Sequence, residues 1–184
     1  MELPNIPYSV SHRNVKYPRL EFRTGELLLI LPPGLKPNPI LKKHKEWIIK
    51  KMGLIEECLK QGSEKKPVER TEREFRELTF SLVNKALKEL DGRLNRIYFR
   101  RMRTKWASLS SKRNLTVNRL MRNLPEHLLN YVIFHEILHL KERRHNDRFL
   151  ERISKRFYNY QAFEMDLFVY WFQIANKIRL DRNF

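Results

Sequence analysis

Two histidines and a glutamate carry the strongest chemical signal in this sequence. His135-Glu136-Ile137-Leu138-His139 forms an HExxH pattern. Residues four apart share one face of a helix. On a helix, His135 and His139 therefore turn two imidazoles toward one cation. Glu136 stands beside them, where a carboxylate can hold a proton next to a metal-activated water. This is the spacing expected of a zinc hydrolase. The competing reading is a pair of hydrogen-bonded core histidines. Buried imidazoles need partners, and a metal supplies one. The motif's neighbours Phe134, Ile137, Leu138 and Leu140 are apolar and suited to anchoring the helix and restricting water.

An open catalytic zinc site takes three protein ligands. Two residues compete for the third position. His145 follows a polar turn containing Glu142, Arg143 and Arg144, and a bend after Lys141 brings it back toward the cation. Glu142 is the rival, with an outer carboxylate supporting the ligands as its other reading. The freedom of the bend favours His145. Tyr131, one turn before His135, is a candidate donor to a developing oxyanion, against the simpler reading of a core tyrosine. His127 receives no catalytic role.

The elements that position these residues follow from periodicity and punctuation. Pro125 suits the first turn of the motif helix and Glu126 its positive end. Leu128, Leu129, Val132, Ile133 and Leu138 carry that helix to about Leu140. Upstream, Tyr8–Val15, Arg19–Arg23 and Glu26–Leu31 read as strands, the last two around a turn at Thr24-Gly25. A helix is predicted across Ile40–Leu59, with Trp47 and Ile48 in its apolar stripe and Trp47 read as core. The polar stretch Gln61–Arg70 is the linker candidate. A helix over Arg70–Leu90 stops at Asp91-Gly92. Ile97–Phe99, Trp106–Leu109 and Leu115–Val117 read as short strands, the last returning antiparallel after a turn at Ser110–Asn114. Trp106 is assigned to the core or to the wall of the active cleft. Two further helices are predicted near Asp147–Phe157 and Phe163–Ile178, the latter rich in Phe168, Tyr170, Trp171 and Phe172.

These residues together resemble the YgjP-like metallopeptidases, a zincin-like group related to the SprT and WLM groups. The resemblance rests on the paired strands ending in Pro32-Pro33-Gly34 and the Trp47-Ile48 pair. It rests also on the segments Met102–Ser110 and Asn114–Asn118, on His135–Leu140, and on His145–Phe149. It implies His135, His139 and His145 as zinc ligands and Glu136 as the base. It also implies an α+β, zincin-like metallopeptidase fold with small antiparallel sheets and an HExxH active-site helix. The chain departs from the family where Trp106-Ala107-Ser108-Leu109 replaces a common WGSC. It departs again where Phe149-Leu150 replaces FW, so relatives' substrate preferences are not carried over.

Composition bounds the rest. The 184 residues include 38 Lys+Arg against 21 Asp+Glu, a formal net charge of +17 that should attract polyanions. Hydrophobic residues make up 41%, with 5 Gly and 9 Pro, which excludes a disordered or collagen-like chain. The lone Cys58 cannot form an internal disulfide and permits a reducing compartment. No apolar run reaches the roughly 20 residues of a membrane span, and the start lacks a secretory pattern. The expectation is a soluble cytoplasmic protein with no integral membrane association.

The expected organisation is one domain over 1–184, with a strand-helix subregion 1–60 and a helical extension 160–184. Arg93–Pro125 contains no carboxylate, and its Arg100, Arg101, Arg103, Lys105, Lys112 and Arg113 are candidates for holding DNA or RNA. The leading function is zinc-dependent hydrolysis of peptide or protein substrates by Glu-assisted attack of water. The alternatives are a nucleic-acid-associated protein, a protease acting on nucleic-acid-bound proteins, or another zinc-dependent amide hydrolase.

Overall fold

The computed structural model describes residues 8–23, 26–62 and 65–180. The turn at Thr24-Gly25 and the first seven residues lie outside them. The chain divides into two compact units: residues 1–64 with 171–184, and residues 65–170.

In the first unit, β1 (Tyr8–His12), β2 (Arg19–Arg23) and β3 (Glu26–Leu31) form a sheet in the order β1-β3-β2. Strand period two puts Leu27, Leu29 and Leu31 on one face, and all three are fully buried with Leu41 and Ile48. The helix expected over Ile40–Leu59 is two helices, α1 (Pro37–Lys43) and α2 (Lys45–Gly62), parted at His44. Trp47 is not a core residue: it is 40% exposed. Among the described side chains of α1 and α2, Leu41, Ile48 and Ile55 are the buried positions, spaced seven apart, and Trp47 sits one residue off that line.

The second unit begins with α3 (Glu72–Glu89). Thr71 opens it with a reciprocal capping box to Glu74. At its other end Gly92 N–H reaches the Leu87 carbonyl at 2.9 Å and Asp91 N–H reaches that of Lys88 at 3.4 Å. This is a Schellman ending in which Asp91, at φ 43°, takes the left-handed position. Gly92 serves a different need: a Cβ there would come within 2.9 Å of Leu140 Cδ1.

A second sheet follows, β4 (Arg96–Arg100), β5 (Ala107–Leu109) and β6 (Asn114–Asn118), in the order β4-β6-β5. The expected antiparallel hairpins are present as β2–β3 and β5–β6. Both sheets are nonetheless mixed, because β1 joins β3 and β4 joins β6 in parallel. A hairpin turn dictates the direction of its own pair. Side-chain alternation reports only which face is buried, not which way the next strand runs.

A 3-10 turn at Arg119–Asn123 leads into α4 (Glu126–Leu138), with Pro125 as its N-cap. Eight of the 13 residues of α4 are buried, on all sides of the helix, so it is the central element of this unit. It packs against α3 and β5. Helix α5 (Asp147–Arg156) and α6 (Tyr160–Leu180) complete the chain. The segment after α2 is tied down by Val68 N–H on the Asn123 carbonyl at 2.9 Å and by the Lys65–Asp166 ion pair. No helix among the described residues is long and apolar enough to cross a membrane.

Candidate metal centre

Helix α4 ends on the HExxH segment. His139 is its C-cap, and the next turn tightens: Leu140 N–H meets the Ile137 carbonyl and Lys141 N–H the Leu138 carbonyl, both at 2.9 Å. The bend expected after Lys141 follows. Asn146 then stops it by accepting Phe149 N–H at 2.9 Å, which starts α5. His145, the residue before this cap, is carried back to the helix end. Each of His135, His139 and His145 offers one ring nitrogen, and the three lie within 4.8 Å of one another.

The donor chemistry fits a metal ion. Nδ1 of His139 donates to the Glu142 carbonyl at 2.9 Å, which leaves its Nε2 lone pair free. The Nε2 atoms of His135 and His145 converge at 3.0 Å. A tetrahedral centre with bonds of about 2.0–2.1 Å has ligand edges of about 3.3 Å. Burial first, and then the neighbouring His139 and His145, depress the His135 pKa to about 4. His135 is therefore neutral at pH 7 and has no proton to shed before it binds. Glu142 enters through its backbone carbonyl, while its carboxylate faces Asn146 at 3.5 Å.

Phe149 supports the whole cluster. It is 1% exposed, and its ring lies 4.9, 4.9 and 4.6 Å from those of His135, His139 and His145. Glu136 Oε2 accepts the Leu109 N–H at 2.8 Å, so the edge strand β5 orients this carboxylate. Burial raises the Glu136 pKa, partly offset by that N–H and by His139, Lys105 and His145. Tyr131 is buried one turn earlier, 5.9 Å from the His135 ring, and its hydroxyl donates to Glu164 Oε1 at 2.8 Å. Burial and that carboxylate raise its pKa.

The cluster opens on a cavity of about 730 Å³. One wall is the segment Lys105–Ser111, including Trp106. The other comes from α4, the bend at Arg143, and Glu164 and Leu167 of α6. Of the basic candidates, Lys105 and Arg113 line this cavity. Arg100, Arg101, Arg103 and Lys112 are exposed beyond it, and the Arg100 guanidinium lies 4.9 Å over the Tyr98 ring. The Phe99 ring is occupied by Phe75, Phe80 and Arg76.

Asn118 holds the loop beside the cavity, a position that periodicity does not reveal. It is fully buried, and its carboxamide makes four bonds. The oxygen accepts Met102 N–H and Leu120 N–H, each at 3.2 Å. The nitrogen donates to the Met102 carbonyl at 2.9 Å and the Lys105 carbonyl at 2.7 Å. The loop that delivers Trp106 and β5 to the cavity is thus clamped to β6. The only sequence signal was a polar residue directly after the alternating Leu115 and Val117. Asn146, directly before an acidic first turn, carried the ordinary signature of an N-cap. Arg143 and Glu164 carried no signal of their own.

A family model described as YgjP-like, metallopeptidase domain, matches residues 61–167. Among solved structures the chain is similar to the metallopeptidase zymogen jannalysin of Methanocaldococcus jannaschii. The identity is 29%, over 48% of this chain and 84% of that one, with a TM-score of 0.43. It is also similar to the metallopeptidase zymogen abylysin of Pyrococcus abyssi, at 24% identity over 47% and 87%, with a TM-score of 0.42. No curated protein matches.

Proposed function

The chain belongs to the YgjP-like metallopeptidase family, and on that premise we propose that it cleaves peptide bonds using a zinc ion held by His135, His139 and His145, with Glu136 as proton carrier. The observation that carries this reading is the convergence of three imidazole nitrogens within 4.8 Å at the mouth of a cavity that also holds Glu136. Three nitrogen ligands with an open fourth side are a catalytic zinc set. When bound, zinc supplies a Lewis acid and lowers the pKa of its water toward about 7.

The chain's own groups do the rest. Leu109 N–H holds Oε2 of Glu136, which leaves Oε1 to take a proton from the attacking water and pass it to the leaving nitrogen. Burial keeps this carboxyl above its usual range and so closer to the pH at which it must both accept and release a proton. The Glu142 carbonyl and Phe149 hold the His139 ring in one orientation. An oxyanion role for Tyr131 requires its O–H to turn from Glu164 toward substrate. A Tyr131→Phe variant measures that role.

Protein purified without a metal-affinity tag should carry about one zinc per chain and cleave an unfolded protein. Glu136→Gln should keep the zinc and lose roughly 10²–10⁴-fold in rate. A chain that holds no zinc and gains no activity on adding it would overturn the proposal. So would a Glu136→Gln variant with undiminished turnover.

A further inference from the structure

The cavity wall carries cations that the proposed hydrolytic step does not use. Lys105 precedes β5, Arg113 sits in the turn after it, and Arg143 comes from the bend after α4. All three side chains are exposed, and no salt bridge engages them among the described residues. The two carboxylates of the cavity lining each accept a hydrogen bond, Glu136 from Leu109 N–H and Glu164 from the Tyr131 hydroxyl, and Lys105 also acts on the Glu136 charge. The cavity lining therefore holds three basic side chains against two carboxylates.

Arg113 is the most committed of the three. Its φ of 56° lies in the left-handed region, which favours Gly or Asn over a long side chain. The turn is locked around it. Arg113 N–H donates to the Ser110 carbonyl and Asn95 N–H to that of Arg113, each at 2.9 Å. Asn95 Nδ2 donates to the Lys112 carbonyl at 2.6 Å. A strained position kept by an arginine at a cavity wall points to a use for the guanidinium. Its planar fork matches a carboxylate in two parallel hydrogen bonds.

Resting on the reading of the cavity as a peptide site, we propose that Arg113, with Lys105 and Arg143 beside it, binds a carboxylate of the substrate and selects peptides that present one near the scissile bond. The carboxylate belongs to an acidic side chain or to the substrate's own C-terminus, and the two sources are separable.

The test is equilibrium binding to zinc-loaded Glu136→Gln protein, which needs no turnover. A failure of selection is thereby distinct from a failure of hydrolysis. The probes are a blocked alanine-rich heptapeptide with one central glutamate, its glutamine counterpart, and that counterpart with a free C-terminal carboxylate. Calorimetry should show one carboxylate-bearing peptide preferred about tenfold over the blocked glutamine peptide. The peptide that wins identifies the source. Adding Arg113→Asn, which suits the left-handed turn, should abolish the preference, and Arg113→Lys should retain part of it. Equal binding of all three peptides overturns the proposal, as does a preference that survives Arg113→Asn. It is overturned also if an oligothymidylate binds more tightly than either acidic peptide and loses that affinity in Arg113→Asn, since the cations then serve a phosphate backbone.

Discussion

Replacing Asn118 should loosen the cavity from a distance. The side chain has no exposure and satisfies two backbone N–H groups and two carbonyls with good geometry. A hydrogen bond of this kind contributes about 0.5–1.5 kcal/mol net, and a buried group left unpaired costs about 1–3 kcal/mol. Four bonds, some re-formed by entering water, set the expected loss for Asn118→Ala at about 3 kcal/mol. For a chain of this length that lowers the melting temperature by roughly 6–12 °C. Asn118→Asp is the sharper variant. It conserves shape but removes both N–H donors and turns a carboxylate toward the Met102 and Lys105 carbonyls. It should cost at least as much as the alanine. Urea unfolding of the three proteins at one pH measures both values, and peptidase assays should show activity falling in the same order. Losses below about 0.5 kcal/mol in both variants would refute the clamp. An aspartate close to wild type would show that volume, not hydrogen bonding, matters there.

Other consequences follow from the same geometry. In metal-free protein burial holds the His135 pKa at about 4 against about 6.5 for an ordinary imidazole, so the unfolded chain binds the extra proton first on acidification. Stability associated with His135 is then complete above pH 6.5 and is lost as pH falls toward 4, by on the order of 3 kcal/mol. Glu136, whose pKa is raised, acts in the opposite sense. The comparison is therefore with His135→Gln, and equal pH slopes would contradict the assignment. Phe149→Ala removes a buried ring that touches three imidazoles. It should cost about 3–5 kcal/mol and weaken zinc affinity about 10–100-fold in chelator competition. Thr71→Ala breaks the reciprocal cap of α3 and should cost about 1 kcal/mol in thermal melts, with zinc affinity unmoved.

The local elements were legible because local physics makes them. Strands β2 and β3, the capped and punctuated α3, the β5–β6 hairpin and the apolar α4 all follow from period and turn residues. His135 and His139 were legible as a pair because helix geometry converts a spacing of four into a shared face. The bend carrying His145 could be anticipated from its polar residues. Trp47 was misread because a helical stripe identifies a face only to within a residue or so.

The sequence by itself determined the helix and the motif on it, since each depends on neighbours a few positions away. Tertiary structure decided what surrounds them. The Glu142 carbonyl on His139 lies three residues off, but it forms only once the chain turns at the helix end. Leu109 N–H reaches Glu136 across 27 residues, and Tyr131 reaches Glu164 across 33. Parallel pairing, the Asn118 clamp and the convergence of Lys105, Arg113 and Arg143 on one cavity belong to the same class. They depend on where distant segments meet, and hydrophobic periodicity, which records only which face is buried, carries no information about that meeting.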